Sequence, residues 1–317
     1  MKMFLFLCLA LLPGISSSQV NYPAKPVRIV VGFAPGGGTD IIARLLAHKL
    51  GERWGQGLIV DNRPGASGNI GADQVAKSAP DGHTLLMAFS SHASNAALSK
   101  LPFDIKRDFS SITLLCSAPG VIIGSLALPG KTLAEVLAYA RANPGAIKYG
   151  SSGVGGTVHL AGELMQQVAG IQMVHVPYKG ISLVMTSMLS GDIQLTYASP
   201  LSGAAHFKSG RLIPLAVASR TRYPSLPDVP TAAEAGLPGY EVDFWYGLLG
   251  PAGMPAPLVD RIQREVAALV TGPELKGSLE EQGCTPVGSR PEELTALIGR
   301  EHELWSRVVR ERGVKVE

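Results

Sequence analysis

The chain has 317 residues, 28 basic and 25 acidic side chains, a net charge of +3 and 46% hydrophobic residues. A balance this close to neutral, without a basic tract, argues against a nucleic-acid surface or an anchor on anionic membrane, so no nucleic-acid partner is expected. The length allows two α/β units with substantial cores.

Residues 1–18 read as a secretory signal. Lys2 precedes the apolar run Met3 to Leu12, which is too short to cross a bilayer, and Pro13-Gly14-Ile15-Ser16-Ser17-Ser18 supplies small residues for cleavage. Cys8 is preceded by Leu5-Phe6-Leu7, not by a lipoprotein signature. Export to the periplasm as a soluble protein is the expectation, since no later run is long and apolar enough to span a membrane. Cys116 and Cys284 remain after cleavage. They could pair in an oxidising compartment, but their distance in sequence favours two separate buried thiols.

Val27 to Val31 is continuous and β-branched, as a buried parallel strand requires. The loop Gly32-Phe-Ala-Pro-Gly-Gly-Gly-Thr-Asp40 follows, and then a helical face of Ile41, Ile42, Leu45, Leu46 and Leu50, with Thr39 or Asp40 as N-cap and a stop at Gly51. Strand 58–60, the loop from Asn62 to Gly68, a helix over 70–77 and strand 84–89 continue a βαβαβ pattern, which predicts a parallel, doubly wound sheet.

A second cycle starts with a helix from Leu133 that stops at Asn143-Pro-Gly145. Strand 147–149 leads into a second glycine loop, Tyr149-Gly-Ser-Ser-Gly-Val-Gly-Gly-Thr157, and a helix over 158–168. Strands over 172–176, 193–198 and 212–218 alternate with helices over 183–189 and 200–208. The Pro- and Gly-rich stretch from Thr221 to Gly239 reads as a connection back to the first unit, followed by strand 245–249 and helices over 257–270, 273–281 and 291–312.

The chemistry of common enzymes is absent from this pattern. The seven histidines have no HxH, HExxH or CxxC company, so neither a metal nor a cofactor is expected. Gly150-Ser-Ser-Gly153 and Gly65-Ala-Ser-Gly68 miss the GxSxG spacing of a nucleophile elbow, and neither glycine loop matches GxGxxG or GxxxxGK[ST]. No catalytic residue is proposed.

The two glycine loops are the candidate site. Each aims unpaired backbone N–H groups and the positive end of a helix dipole at one point, which suits an anion. In the first, Gly36, Gly37 and Gly38 leave room for a carboxylate beside Phe33, Ala34 and Thr39, and Phe33 either closes over the ligand or joins the local core. In the second, Ser151, Ser152, Gly153, Gly156 and Thr157 offer hydroxyls and free amides, or only a cap for the next helix. His159 sits where the helix dipole disfavours its charged form, so it is expected to be a neutral residue that fixes the loop. Asn69, Ser90, Ser91, Tyr197 and Ser199 complete the candidate set, the last four standing at the carboxyl ends of strands, where ligands of open α/β sheets collect.

These residues resemble the tripartite tricarboxylate transporter receptors, the Bug-type extracytoplasmic solute-binding proteins. The resemblance runs through Val27 to Asp40, Asn62 to Gly71, Pro80 to Leu85, Tyr149 to Glu163, Val176 to Gly180, Leu215 to Ser219, Leu226 to Thr231, Glu234 to Gly236 and Gly250 to Gly253. It implies a type II periplasmic binding protein with two doubly wound α/β lobes and a ligand cleft between them. Lobe one would hold residues 19–116 and 220–317, lobe two 117–219, with hinges near Ser117 and Ser219. The resemblance further implies a monomer that captures a small organic carboxylate by flytrap closure and delivers it to a membrane permease of the tripartite tricarboxylate type. The two glycine loops would grip the carboxylate. Where the family usually reads Gly-x-Val-Asp-Leu-Met-Phe-Asp, this chain has Gly191-Asp-Ile-Gln194-Leu-Thr-Tyr-Ala198, which makes amino-acid ligands a poorer fit. An enzyme on a similar scaffold, or a receptor feeding a sensor kinase, stays open on sequence grounds.

Overall fold

The computed structural model describes residues 22–98 and 100–313; the proposed signal segment lies outside them. In chain order the strands are β1 (Val27–Val31), β2 (Leu58–Asn62), β3 (Thr84–Phe89), β4 (Phe109–Pro119), β5 (Val121–Ser125), β6 (Lys148–Ser151), β7 (Val174–Pro177), β8 (Leu195–Ala198), β9 (Leu212–Val217), β10 (Asp243–Pro251) and β11 (Thr285–Pro286). The helices are α1 (Gly38–Trp54), α2 (Asn69–Ala76), α3 (Ser91–Leu98), α4 (Leu133–Ala142), α5 (Thr157–Ala169), α6 (Ile181–Ser190), α7 (Pro200–Lys208), α8 (Ala256–Thr271), α9 (Lys276–Glu281) and α10 (Pro291–Arg312).

They form two sheets, ordered β11-β4-β10-β3-β1-β2 and β7-β6-β8-β5-β9. The parallel pairing expected of the βαβαβ run is present for β1 with β2 and β3. β10 and β4 then continue that sheet antiparallel, so both sheets are mixed. The uninterrupted apolar run of β1 is explained by helices on both faces: Val27, Ile29, Val30 and Val31 are all fully buried.

Two passages join the sheets, one at Gly120 between β4 and β5, the other from Ala218 to Val242 between β9 and β10. They run side by side: Gly120 N–H donates to Val242 O at 2.7 Å, Ala218 N–H to Gly120 O at 2.7 Å, and Val242 N–H to Ala218 O at 3.0 Å.

Three expectations are corrected. Cys116 and Cys284 are joined as a disulfide with Cα atoms 5.9 Å apart. The cause is the short β11, which pairs Thr285 with Ser117 and Pro286 with Cys116 and so carries Cys284 alongside β4. Helix α1 does not stop at Gly51 but runs to Trp54 and ends at Gly55 in the left-handed region. A mid-helix glycine costs only ~1 kcal/mol, and the last turn is held by the Trp54 ring against Tyr22 and its indole N–H on Glu265. Its N-cap is Gly37, which places Thr39 and Asp40 inside the first turn.

Candidate functional site

Four helices, α1, α5, α6 and α7, start at one cavity. Its wall includes Gly37, Gly38 and Thr39 of α1, Val158 of α5, Ile181 of α6, and Ser199 and Ser202 at the start of α7. None of the four N-caps, Gly37, Gly156, Gly180 and Ser199, makes a side-chain capping bond. Each of these helix ends therefore carries the equivalent of about half a positive charge and keeps first-turn N–H groups for another acceptor, apart from the Thr157 N–H of α5, which donates to Ser91. Phe33, Phe89, Ala198, Ser152 and Tyr246 close the wall, and no lining side chain is charged. A site of this kind attracts an anion with dipoles and hydroxyls rather than with lysine or arginine.

The cavity is about 20 Å³, room for roughly one water. The two sheet units touch directly around it. Ala34 N–H donates to Lys179 O at 3.2 Å, the Ser67 hydroxyl to Val154 O at 2.8 Å, and Thr157 N–H to the Ser91 hydroxyl at 3.2 Å. The units are closed on one another here, and the cavity leaves no room for a ligand of several carbon atoms.

The loop geometry is set by buried polar pairs. Gly36 has φ 85°, the left-handed region that favours glycine, and its N–H reaches the Asp40 carboxylate at 3.0 Å. Asp40 also accepts from Arg44 and Asn62. Burial pushes its carboxyl up, but these hydrogen bonds and the Arg44 charge outweigh burial and hold it below the usual carboxylate range. Its charge is thus committed to the loop and lies outside the cavity wall.

Behind the second loop, His159 and His175 stack with centroids 4.1 Å apart. Gly155 N–H donates to His159 Nδ1 at 3.1 Å, which places the ring proton of His159 on Nε2, 3.8 Å from Glu163. Ser151 Oγ lies 2.6 Å from His175 Nε2. Burial lowers the pKa of both rings; His175, also facing His159, is pushed down to about 3. Both are neutral supports of the loop at ordinary pH.

The structure sorts the candidate residues into three groups. Phe33, Gly37, Gly38, Thr39, Ser152 and Ser199 line the cavity. Ala34, Ser91, Gly153, Gly156 and Thr157 stand where the two units touch: Cβ atoms added at Gly153 and Gly156 would lie 2.4 and 3.2 Å from the Ser67 hydroxyl. The others are set back. Asn69 is bound to Asn95, Ser90 N–H to Trp245 O, and Ser151 and His159 belong to the histidine stack. Tyr197 is buried with its hydroxyl on the Met165 sulfur, and the adjacent Ala198 reaches the cavity instead.

Sequence reasoning missed Phe89, Val158, Ile181, Ala198, Ser202 and Tyr246 as lining residues. Ile181 and Ser202 had a signal, because Gly180 and Ser199-Pro200 open helices after strands just as the glycine loops do. Tyr246 had none, since only the antiparallel pairing of β10 with β3 brings it there.

Two α/β units around a cleft of strand-to-helix turns define a bilobal solute-binding protein. The chain belongs to the tripartite tricarboxylate transporter family receptors, whose family pattern it matches over residues 42–314. It is 33% identical to Protein BugT of Bordetella pertussis over 303 residues, 95% of this chain and 93% of that protein. R. palustris Rpa4515, solved with adipate, is similar with a TM-score of 0.90 and 33% identity, covering 93% of this chain and 99% of that one. MatC (Rpa3494) from Rhodopseudomonas palustris, solved with bound malate, has a TM-score of 0.85 and 29% identity over 91% of this chain and all of its own.

Proposed function

We propose that the chain is a periplasmic receptor that captures a small organic carboxylate between two lobes and delivers it to a membrane permease of the tripartite tricarboxylate type. The observation that carries this reading is the meeting of four uncapped helix N-termini at one uncharged cavity. Adipate in Rpa4515 and malate in MatC support a carboxylate as the ligand class. Transport receptors do no chemistry on their cargo, and the cavity wall offers neither a nucleophile–base pair nor a carboxylate pair.

Residues 19–116 and 220–317 form lobe one in this reading, residues 117–219 lobe two, and the paired passages at Gly120 and Ala218 the hinge. The ligand prefers the closed state because only there do the helix ends of both lobes face it at once. Closure also joins the rims of both lobes into one surface for the permease. Among the described residues no helix is long and apolar enough to cross a membrane.

Thermal unfolding of the mature, ligand-stripped chain tests the reading. A bound carboxylate at a hundred times its dissociation constant adds about 2.7 kcal/mol, so the transition rises by several degrees, and the matching amide leaves it in place. A panel of di-, tri- and monocarboxylates that moves nothing would remove the assignment.

A further inference from the structure

Three hydroxyls meet the first glycine loop where the two units touch. Tyr246, on β10 of the six-stranded sheet, has its hydroxyl 2.7 Å from Ser199 Oγ at the N-cap of α7. Ser202, one turn on, lies 3.5 Å from Ser199 Oγ. Gly38 approaches two of them so closely that a Cβ there would stand 2.6 Å from the Tyr246 oxygen and 3.2 Å from Ser202 Oγ. Ser152, from the second glycine loop, adds a fourth hydroxyl to the wall; it is 3% exposed, and its Oγ has no partner. The remaining wall is apolar: Phe89 packs on Tyr246 and Phe33 at centroid distances of 5.1 and 5.7 Å, with Val158, Ile181 and Ala198 completing it.

We propose that Tyr246, Ser199 and Ser202 form a hydroxyl subsite that takes the oxygens of an organic acid and, with the charge-free wall around it, makes the receptor reject ligands that carry an ammonium group. Tyr246 is the specificity-determining residue of this subsite. The inference rests on the carboxylate reading above and narrows it to acids without an amino group.

The physical reason is the sign of the local field. The helix ends that stabilise an anion repel a cation, and an ammonium desolvated in this cavity needs a carboxylate partner. Asp40, the acidic residue of the adjoining loop, is already held by Gly36, Arg44 and Asn62. At the end of β8 the wall carries Ala198, whose methyl group offers no acceptor. A hydroxyl or carboxylate oxygen on the ligand, by contrast, finds donors in Tyr246, Ser202 and Ser152.

Calorimetric titration of the mature, ligand-stripped protein with three matched pairs tests this: malate and aspartate, adipate and α-aminoadipate, hexanoate and norleucine. The expected result is that at least one plain acid binds and its amino partner binds roughly tenfold or more weakly, the loss set by an unpaired buried charge. Tyr246→Phe, with its circular dichroism unchanged, weakens that acid roughly tenfold. Ala198→Asp, which adds a carboxylate to the wall, shifts preference toward the amino partner. Equal binding of a pair by the native protein, or full affinity in Tyr246→Phe, would overturn the inference while leaving the carboxylate reading in place. Binding of none of the six by folded protein would overturn both.

Discussion

Gly156→Val is expected to abolish ligand-induced stabilisation while leaving both lobes folded. Gly156 has φ −73° and ψ 163°, ordinary extended backbone, so a side chain there introduces no backbone strain. The obstacle is across the cleft. A Cβ at 156 would already stand 3.0 Å from Ser91 Oγ and 3.2 Å from Ser67 Oγ, and the two methyl groups of valine reach further into the same gap. Closing that gap is what allows the Thr157 N–H to reach Ser91 and the Ser67 hydroxyl to reach Val154 O. Loss of glycine at the N-cap itself costs only ~1 kcal/mol. The unliganded variant should therefore unfold within a few degrees of the native protein, and the roughly 2.7 kcal/mol gained at a hundredfold excess over the dissociation constant should vanish. Small-angle scattering with and without ligand is the direct check: the native protein contracts and the variant does not. A variant that contracts and is stabilised like the native protein would refute closure at this contact.

Removing the disulfide is the second large effect. Cys116 and Cys284 are both fully buried and separated by 168 residues. On the chain-entropy view a cross-link over so long a loop contributes ~5 kcal/mol, and native disulfides commonly contribute 2–5 kcal/mol. The bond also clamps β11 to β4 three residues before Pro119, on the six-stranded-sheet side of the Gly120 passage. Cys116→Ser with Cys284→Ser is expected to lower the unfolding free energy by ~2–5 kcal/mol, read as an earlier urea midpoint. Reductant should move the native protein toward the same midpoint once unfolding exposes the bond. Coincident midpoints for native and variant protein would show that the bond contributes nothing to stability.

What the sequence disclosed about this molecule was local. A short strand-like run, a bare loop and an apolar helical face lie close together in sequence, so β1 with α1 and β6 with α5 could be read directly, and with them the two glycine turns. No helix or strand was read over residues 90–132. Phe109–Pro119 neither alternates cleanly nor forms a continuous apolar block, because β4 packs between β10 and the short β11 under different cover along its length. The site's long-range members were equally hidden. Tyr246 reaches Ser199 across 47 positions, and Cys284 reaches Cys116 only through the two-residue strand β11. Tyr197 shows the opposite error: its strand does end at the cavity, but alternation along β8 turns the tyrosine into the core and leaves the neighbouring Ala198 at the wall.

The most direct test of capture by converging helix ends is a crystal structure of the mature protein grown with the carboxylate that gives the largest thermal shift. Carboxylate oxygens within hydrogen-bond distance of the Gly37 to Thr39 amides and of the Ser152 or Tyr246 hydroxyl are the predicted result. A ligand seated instead in the open groove between α7 and Ser225, Leu226 and Glu281 would contradict it.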